Sequence, residues 1–131
     1  MSSIFTKIIN GEIPSYKIAE DENFYAFLDI NPLVKGHTLV VPKKEVDYIF
    51  NLEDELLAGL SVFAKKVALA IDKSISCIRV GSLVIGTEVP HAHIHLIPFN
   101  NEAEMDIKRP KLKFSDNEFI EIAKNIRNNI K

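Results

Sequence analysis

The segment from His91 to Pro98 restricts the fold of this 131-residue chain more than any other part of the sequence. Histidine and apolar residues alternate along it at the two-residue period of a β-strand, so the imidazoles share one face. The residues that supply them are His91, His93 and His95. The intervening apolar side chains point to the opposite face, where a core can cover them: Ala92, Ile94 and Leu96. The pattern predicts a half-buried strand with a histidine face.

Five β-prone runs and three amphipathic stretches organise the chain. The predicted strands span residues 16–20, 24–28, 37–41, 77–85 and 93–98. The predicted helices are a short one that stops at Asn10 and Gly11, a long one from Asn51 to about Lys73, and a C-terminal one over about 116–130. Because strands and helices do not alternate regularly, an α+β fold with an antiparallel sheet of about five strands is favoured over a doubly wound α/β fold.

Length and composition predict one domain over residues 1–131, because a chain of this size can bury an adequate hydrophobic core. The formal net charge of -2 gives no electrostatic reason to expect binding to nucleic acid or to a membrane surface. No apolar run approaches the roughly 20 residues of a membrane-spanning helix. The single Cys77 cannot form an internal disulfide, which favours a soluble protein of the reducing cytoplasm.

The three imidazoles indicate nucleophilic or acid–base chemistry. Near neutral pH an imidazole can attack an electrophile, and a neighbouring one can donate a proton, which suits reaction at a phosphoryl centre. The fourth histidine, His37, begins another predicted strand. Two alternatives remain from the residues alone: polar side chains that merely face solvent, and a zinc or copper site built from imidazoles.

Residues around the triad suggest further contacts with a ligand. The turn from Gly86 to Val89 could offer backbone N–H groups to a phosphate. Asp29, at a strand end, is a suitable acceptor for ribose hydroxyls, although an aspartate before Asn31-Pro32 is also a common turn former. Apolar residues could line a base pocket or belong to the ordinary core: Ile4, Phe5, Ile8, Phe27 and Leu28. The basic residues 43–44 and 108–113 are given no function.

The sequence resembles the histidine triad (HIT) family, whose signature alternates histidine with hydrophobic residues as residues 91–97 do. The similarity also covers residues 4–14, 27–32 and 36–44, and it points to the nucleotide-binding, HINT-like branch. The resemblance implies a homodimer whose antiparallel sheet continues across the subunits. It also implies hydrolysis or transfer at the α-phosphate of purine nucleoside phosphoramidates, without a cofactor.

The resemblance assigns a role to each position of the expected site. His93 would form the nucleotidyl-histidine intermediate, His95 would contact and orient the phosphate, and His91 and His37 would tune the site. Asp29 would bind ribose. The base and ribose pocket would be formed by Ile4, Phe5, Ile8, Phe27, Leu28 and Ile30. The loop facing phosphate would consist of Gly86, Thr87, Glu88 and Val89.

The chain departs from the family pattern in two places. Val80 stands where many relatives have asparagine, and Thr87 stands where many have glutamine, so a nucleotide-binding module with little turnover is the alternative function. Ser3, Thr6 and Glu45 occupy the positions at which many bacterial relatives bind zinc through two cysteines and a histidine. Hydroxyls and a carboxylate do not replace two thiolates and an imidazole, so no metal is expected.

Overall fold

In a computed structural model, which describes residues 2–131, five strands and three helices account for the regular structure. The strands are β1 (Lys17–Glu20), β2 (Phe24–Leu28), β3 (Thr38–Pro42), β4 (Arg79–Leu83) and β5 (Ile94–Phe99). The helices are α1 (Ile4–Ile9), α2 (Asp54–Ser74) and α3 (Asp116–Arg127). Two 3₁₀ turns, Ile49–Asn51 and Glu102–Met105, precede α2 and follow β5.

The strands form one antiparallel sheet in the order β1-β2-β3-β5-β4. The β1–β2 hairpin closes where the Asp21 carboxylate accepts hydrogen bonds from the N–H groups of Asn23 and Phe24, at 2.9 and 2.8 Å. The long α2 supplies the crossover from β3 to β4, which then pairs with β5. The architecture confirms the expected α+β class and the expected number of strands.

The two faces of the sheet have different partners. Helices α2 and α3 cover one face, where the principal core contains Val40, Leu60, Ile71 and Leu96. Helix α1 covers the other face through Phe5, which packs with four side chains that point to that side of the sheet: Tyr25, Phe27, Leu39 and Val41. Leu39 pairs with His95, so the histidine lies on the α1 face. The small α1 layer therefore leaves space on the same side as the imidazoles.

A serine caps the N-terminus of each terminal helix. The hydroxyl of Ser3 accepts from the N–H of Thr6, and the hydroxyl of Ser115 accepts from the N–H of Glu118. Glu118 returns the contact by accepting from the N–H of Ser115 at 2.8 Å, which completes a capping box. Helix α3 ends at Arg127, three residues before the predicted boundary. None of the described helices combines the length and the apolar character needed to span a membrane.

The prediction that all three triad histidines lie on one strand is wrong. Strand β5 begins at Ile94, so His91 and His93 belong to an extended segment that leads into it. The reason is the path of the chain beside β3, which ends at Pro42, a residue without an N–H. Beyond that point the N–H of Ala92 bonds to the carbonyl of Val46, at 2.7 Å. The alternation persists nevertheless, because the apolar residues between the histidines pack in the principal core.

Candidate active site

A cavity of about 310 Å³ lies between α1, the adjacent face of the sheet and the loops that follow β2 and β4. Three of the four histidines line it: His37, His93 and His95. All of the residues expected to bind nucleotide also border it: Ile4, Phe5, Ile8, Phe27, Leu28, Asp29, Ile30, Gly86, Thr87, Glu88 and Val89. Leu28 does so although its side chain belongs to the principal core on the other side of the sheet. Residues distant in sequence thus meet in one place.

His93 presents one free ring nitrogen. Its Nδ1 lies 2.7 Å from the backbone carbonyl of His91, which can only accept, so Nδ1 carries the proton. Burial lowers the pKa of His93, so the ring is neutral near pH 7 and its Nε2 holds a lone pair. The side chain is buried, and the Phe5 ring stands edge-on to it, with the ring centroids 5.0 Å apart. A buried, oriented, neutral imidazole with a free lone pair on Nε2 is the arrangement needed for nucleophilic attack.

His37 and His95 form a hydrogen-bonded pair whose proton positions follow from the backbone. The N–H of Leu33 donates to His37 Nδ1 at 3.0 Å, so that nitrogen has no proton. Burial, with the neighbouring His95, lowers the pKa of His37 to about 3, so the neutral ring carries its proton on Nε2. His37 Nε2 donates to His95 Nδ1 at 2.9 Å. Since burial lowers the pKa of His95 to about 4, its own proton lies on Nε2, where it can be donated to a ligand.

Asp29 combines a turn role with a free acceptor. Its Oδ1 accepts from the N–H of Asn31 at 2.8 Å, which confirms that the residue forms a local turn. Its Oδ2 lies 3.6 Å from His37 Nε2, a contact between a carboxyl group and a neutral ring and therefore not an ion pair. Burial raises the pKa of Asp29, and the Asn31 hydrogen bond and the charge of Lys111 oppose the rise. One oxygen thus remains available to a ligand in the cavity.

His91 stands behind the cavity and does not line it. The ring is fully buried, and its Nε2 donates to the carbonyl of Pro42 at 2.7 Å, so Nδ1 is the accepting nitrogen. The Ser3 hydroxyl donates to Nδ1, also at 2.7 Å. Both polar atoms of a buried ring are thereby paired, which is what burial of an imidazole requires. His91 contributes to the site by orientation, through its carbonyl contact with His93.

The three positions that correspond to zinc ligands in relatives meet beside His91. Glu45 Oε1 accepts from the N–H of Ser3 at 2.7 Å and from the hydroxyl of Thr6 at 2.6 Å. Two atoms bound to one tetrahedral zinc at about 2.0–2.1 Å would lie about 3.3 Å apart, farther than the 2.6 Å between Glu45 Oε1 and the Thr6 hydroxyl. The residues present therefore bond to one another and do not fit a zinc ion.

One other group within residues 2–131 could offer ligand atoms to a metal: Asp29, His37 and His95, whose candidate atoms lie within 4.8 Å of one another. The hydrogen bonds argue against a resident ion there. His37 Nδ1 accepts from a backbone N–H, so coordination through Nε2 would leave that ring with no proton at all. Coordination by His95 Nδ1 would also break its bond to His37. Hydrogen bonding explains this cluster without a metal.

The loop after β4 contributes the opposite wall of the cavity. Gly86 has a φ of 79°, a backbone conformation that glycine adopts without strain, and it allows the chain to turn towards the triad. Thr87 borders the cavity, whereas Val80 packs against the principal core. Of the two departures from the family pattern, only Thr87 is therefore placed to contact a ligand directly.

Sequence reasoning missed nine residues that border the cavity: Ile13, Pro14, Ser15, Asn31, Leu33, Leu39, Ile85, Ile107 and Lys111. Ile107 and Lys111 are the two that follow the triad in sequence. Both lie in the loop after β5, which returns to the Asp29 turn when the N–H of Leu112 bonds to the carbonyl of Pro32 at 2.8 Å. Two backbone carbonyls of the same loop accept hydrogen bonds from the Lys111 ammonium, those of Ile107 and Arg109. The Lys-rich composition of this loop gave no sign that one exposed lysine would border the cavity. The only feature of the sequence that pointed to this loop was its position shortly after the triad.

Comparison with known proteins places this geometry among characterised folds. The HIT domain family matches residues 10–102. An adenosine 5'-monophosphoramidase of Schizosaccharomyces pombe is 36% identical over 133 residues, covering 100% of both chains. An uncharacterised HIT-like protein of Borreliella burgdorferi is 39% identical over 135 residues, covering 97% of each chain. A zinc-bound histidine triad protein from Mycobacterium smegmatis superimposes with a TM-score of 0.85 at 28% identity, over 99% of this chain and 94% of that one.

Proposed function

This chain belongs to the HIT family, and we propose that it hydrolyses purine nucleoside phosphoramidates at the α-phosphate, releasing a nucleoside monophosphate. The observation that carries the proposal is the unprotonated Nε2 of His93 facing a cavity with room for a nucleotide. Similarity to proteins named adenosine 5'-monophosphoramidase supports hydrolase chemistry of this class. Incubation with adenosine phosphoramidate tests the proposal, and release of AMP is the expected result.

In the first step, the lone pair of His93 Nε2 attacks the α-phosphorus and forms a P–N bond. The bond from phosphorus to the leaving nitrogen breaks, and that nitrogen departs as an amine after it takes up a proton from solvent. The Nε2–H of His95 donates to a phosphoryl oxygen and stabilises the charge that develops there. The carbonyl of His91 stabilises the positive charge on the His93 ring, because it already accepts from Nδ1 at 2.7 Å.

In the second step, a water molecule attacks the phosphorus of the nucleotidyl-histidine. The P–N bond to His93 breaks, the electron pair returns to Nε2, and the proton lost by water passes to solvent. The products are the monophosphate and the neutral ring with which the cycle began. The low pKa values of His37 and His95, about 3 and 4, keep the pair neutral throughout. The donor at His95 therefore persists at every pH at which His93 is a nucleophile.

The remaining walls of the cavity suit a nucleoside. Apolar side chains of Phe5, Ile8 and Phe27 offer flat contacts to a base, and the free Asp29 oxygen faces the same space. A carboxylate accepts hydrogen bonds from the adjacent hydroxyls of ribose. The cavity thus provides distinct environments for base, sugar and phosphate.

Asp29→Asn is expected to weaken AMP binding by roughly tenfold, the cost of losing a charged hydrogen-bond acceptor. Calorimetric titration with AMP and with 2'-deoxy-AMP measures the effect. Wild type should prefer the ribonucleotide, and the variant should lose that preference, because the lost contact is to the sugar hydroxyls. Equal preference for AMP over its deoxy form in both proteins would contradict the ribose role of Asp29.

A second candidate function is nucleotide binding with little turnover. The observation that favours it is Thr87, which borders the cavity at a position where many relatives have glutamine. A shorter side chain there removes an amide that could contact phosphate. Micromolar binding of AMP together with no release of AMP from adenosine phosphoramidate would favour this function over hydrolysis.

We also propose that the sheet continues across a homodimer. Strand β4 is an edge strand of the described sheet, and exposed apolar side chains flank it: Ile78, Val84 and Ile85. Beside it, α2 exposes Val62 and Leu69, which lie seven residues apart and so share one face. An unpaired edge strand next to an apolar helix face is a surface that a second copy can cover.

Val62→Lys combined with Leu69→Lys is expected to convert the dimer to a monomer, because two charges would have to be buried at the interface. Light scattering after size-exclusion chromatography gives the mass, which for one chain is 14.8 kDa. Ile120→Lys, on the exposed face of α3, is the matched control and should leave the mass of the assembly unchanged. A monomeric wild type would contradict the proposed dimer.

A further inference from the structure

Ser3, Thr6 and Glu45, which we call the N-terminal network, bond to one another and to a triad histidine. Glu45 Oε1 accepts from the backbone N–H of Ser3 and from the hydroxyl of Thr6. The Ser3 hydroxyl accepts from the N–H of Thr6 at 3.1 Å and lies 2.7 Å from His91 Nδ1. The residues are separated by up to 88 positions in sequence, so the network joins the start of the chain to the active site.

The network leaves one arrangement of protons at His91. The ring nitrogen Nε2 faces only the carbonyl of Pro42 and must donate to it. Nδ1 must then accept, and the Ser3 hydroxyl is its donor at 2.7 Å. The hydroxyl of Thr6 lies 3.4 Å from Nδ1 but donates instead to Glu45, at 2.6 Å. Glu45 thereby keeps the competing hydroxyl away from the imidazole and leaves Ser3 as the donor.

Two parts of the site depend on where His91 and α1 are held. The carbonyl of His91 accepts from His93 Nδ1 and so sets the orientation of the nucleophile. Helix α1 has only six residues and is capped by Ser3. It carries the Phe5 ring, whose centroid lies 5.8 Å from that of the His91 ring and 5.0 Å from that of the His93 ring. A shift of the helix would move the base-side wall and the nucleophile together.

We propose that Glu45 is a positioning residue: through Ser3 and Thr6 it keeps the Ser3 hydroxyl as the donor to His91 Nδ1 and fixes the position of α1, and so aligns His93 for attack. The kinetic part of this inference rests on the proposed phosphoramidate hydrolysis, whereas the hydrogen bond to His91 Nδ1 and the position of the helix do not. Hydrogen bonds from Ser3 and Thr6 hold the pKa of Glu45 at about 2, so the carboxylate is an acceptor at all working pH values.

The network performs by hydrogen bonding what a metal could perform by coordination. A zinc ion bound at these positions would also tie the start of α1 to the segment after β3. In this chain, the Glu45 carboxylate makes the same connection through the backbone N–H of Ser3 and the hydroxyl of Thr6, with direct bonds of 2.7 and 2.6 Å to Oε1. A tether of this kind needs no metal and is not removed by chelators.

The first test compares Glu45→Leu with Glu45→Gln. Leucine removes the acceptor, which frees the Thr6 hydroxyl to compete for His91 Nδ1, and kcat/KM for adenosine phosphoramidate should fall roughly tenfold, the order seen when orienting partners are lost. Glutamine retains a carbonyl oxygen that can accept both bonds, so it should recover most of the activity. Glu121→Leu, at an exposed position on α3, controls for the loss of a carboxylate.

A spectroscopic measurement separates positioning from simple destabilisation and needs no turnover. The ¹⁵N shifts of the His91 ring should report a protonated Nε2 and an accepting Nδ1 in wild type and in Glu45→Gln, and a changed Nδ1 signal in folded Glu45→Leu. If wild type shows no hydrolysis but Glu45→Leu changes these shifts, the proposed function fails, and the inference that Glu45 controls the hydrogen bond to His91 Nδ1 stands. Unchanged shifts with unchanged kcat/KM in folded Glu45→Leu would overturn the inference.

A variant designed to bind zinc tests independently whether positions 3, 6 and 45 lie together around His91 Nδ1. Combining Ser3→Cys, Thr6→Cys and Glu45→His should create a site that binds one zinc per chain, with His91 Nδ1 as the fourth ligand. Metal analysis after dialysis measures the stoichiometry, and the zinc-loaded variant should regain the activity that Glu45→Leu loses. Failure of the folded variant to take up zinc would contradict the placement of these residues around His91.

Discussion

Replacing His93 with alanine is expected to lower the rate of AMP release from adenosine phosphoramidate by roughly 10⁴-fold or more, because removal of a covalent nucleophile leaves only binding and charge stabilisation. Hydrogen bonding leaves His93 Nε2 with a free lone pair that faces the cavity. His95 Nε2 carries a proton and therefore cannot be the nucleophile. Water would have to attack the α-phosphate directly in the variant. Steady-state assays with the purified variant measure the remaining rate.

Affinity for AMP provides the control for this substitution. The cavity walls that hold base and ribose do not depend on the His93 ring, so His93→Ala should bind AMP within a few-fold of wild type. Lys44→Ala, at an exposed position outside the cavity lining, should retain the full rate. Equal rates for wild type and His93→Ala would show that another group is the nucleophile.

Mild acid is expected to unfold this protein. His37 is 2% exposed, and its pKa falls from 6.5 to about 3 on folding, while that of His95 falls from 6.5 to about 4. A histidine whose folded pKa is depressed is neutral in the native state, and the unfolded chain binds its proton first as pH falls below 6.5. Stability is therefore complete above pH 6.5 and is lost progressively down to the folded pKa.

The expected loss is large relative to the total stability of a domain. Each unit of pH below 6.5 costs about 1.4 kcal/mol per fully coupled histidine, so His37 alone removes roughly 3 kcal/mol at pH 4.5. His95 adds a smaller amount because it is partly exposed. The loss from the two histidines together approaches about 5 kcal/mol, the lower end of the free energies of unfolding typical of domains. Urea unfolding at pH 7.0, 5.5 and 4.5 measures the free energy of unfolding.

His37→Gln supplies the matched variant for the acid experiment. Glutamine cannot be protonated, so the free energy of unfolding should fall less steeply between pH 6.5 and 4.5 than in wild type, whatever its value at pH 7. A wild-type stability that stays constant over this range would contradict the buried, neutral state of His37. Identical slopes in the two proteins would assign the acid sensitivity to other groups.

Local patterns in the sequence were sufficient to predict most of the fold. The β2 strand has the predicted bounds, and α3 begins at Asp116 as predicted, after a capping box formed by Ser115 and Glu118. These features depend on neighbours within a few residues, which a single sequence displays. The start of β5 could not be predicted in the same way, because it depends on where Pro42 ends the adjacent strand and on the bond from Ala92 to Val46.

The site was predictable where residue types carry the chemistry. The expected cavity residues come together, whereas the place of Lys111 at the border of the cavity depends on a loop that folds back onto Pro32. The bonds of Glu45 likewise join positions 39 and 42 residues apart in sequence. Contacts of this kind follow from the tertiary path of the chain, and no periodicity in the sequence encodes them. The residue types at positions 3, 6 and 45 were therefore enough to predict that zinc does not bind there, but not to predict the hydrogen bonds that these residues form instead.

Main-chain atoms decide the protonation pattern of three of the four histidines, and the His37 ring then decides that of His95. The N–H of Leu33 and the carbonyls of Pro42 and His91 each hold one ring nitrogen in a fixed state. Every residue type supplies a carbonyl, and every type except proline supplies an N–H. The side chains at positions 33 and 42 can therefore diverge between relatives without altering which ring nitrogen holds a proton, provided that the chain keeps its path. The chemistry of the site is in this sense inherited with the backbone trace.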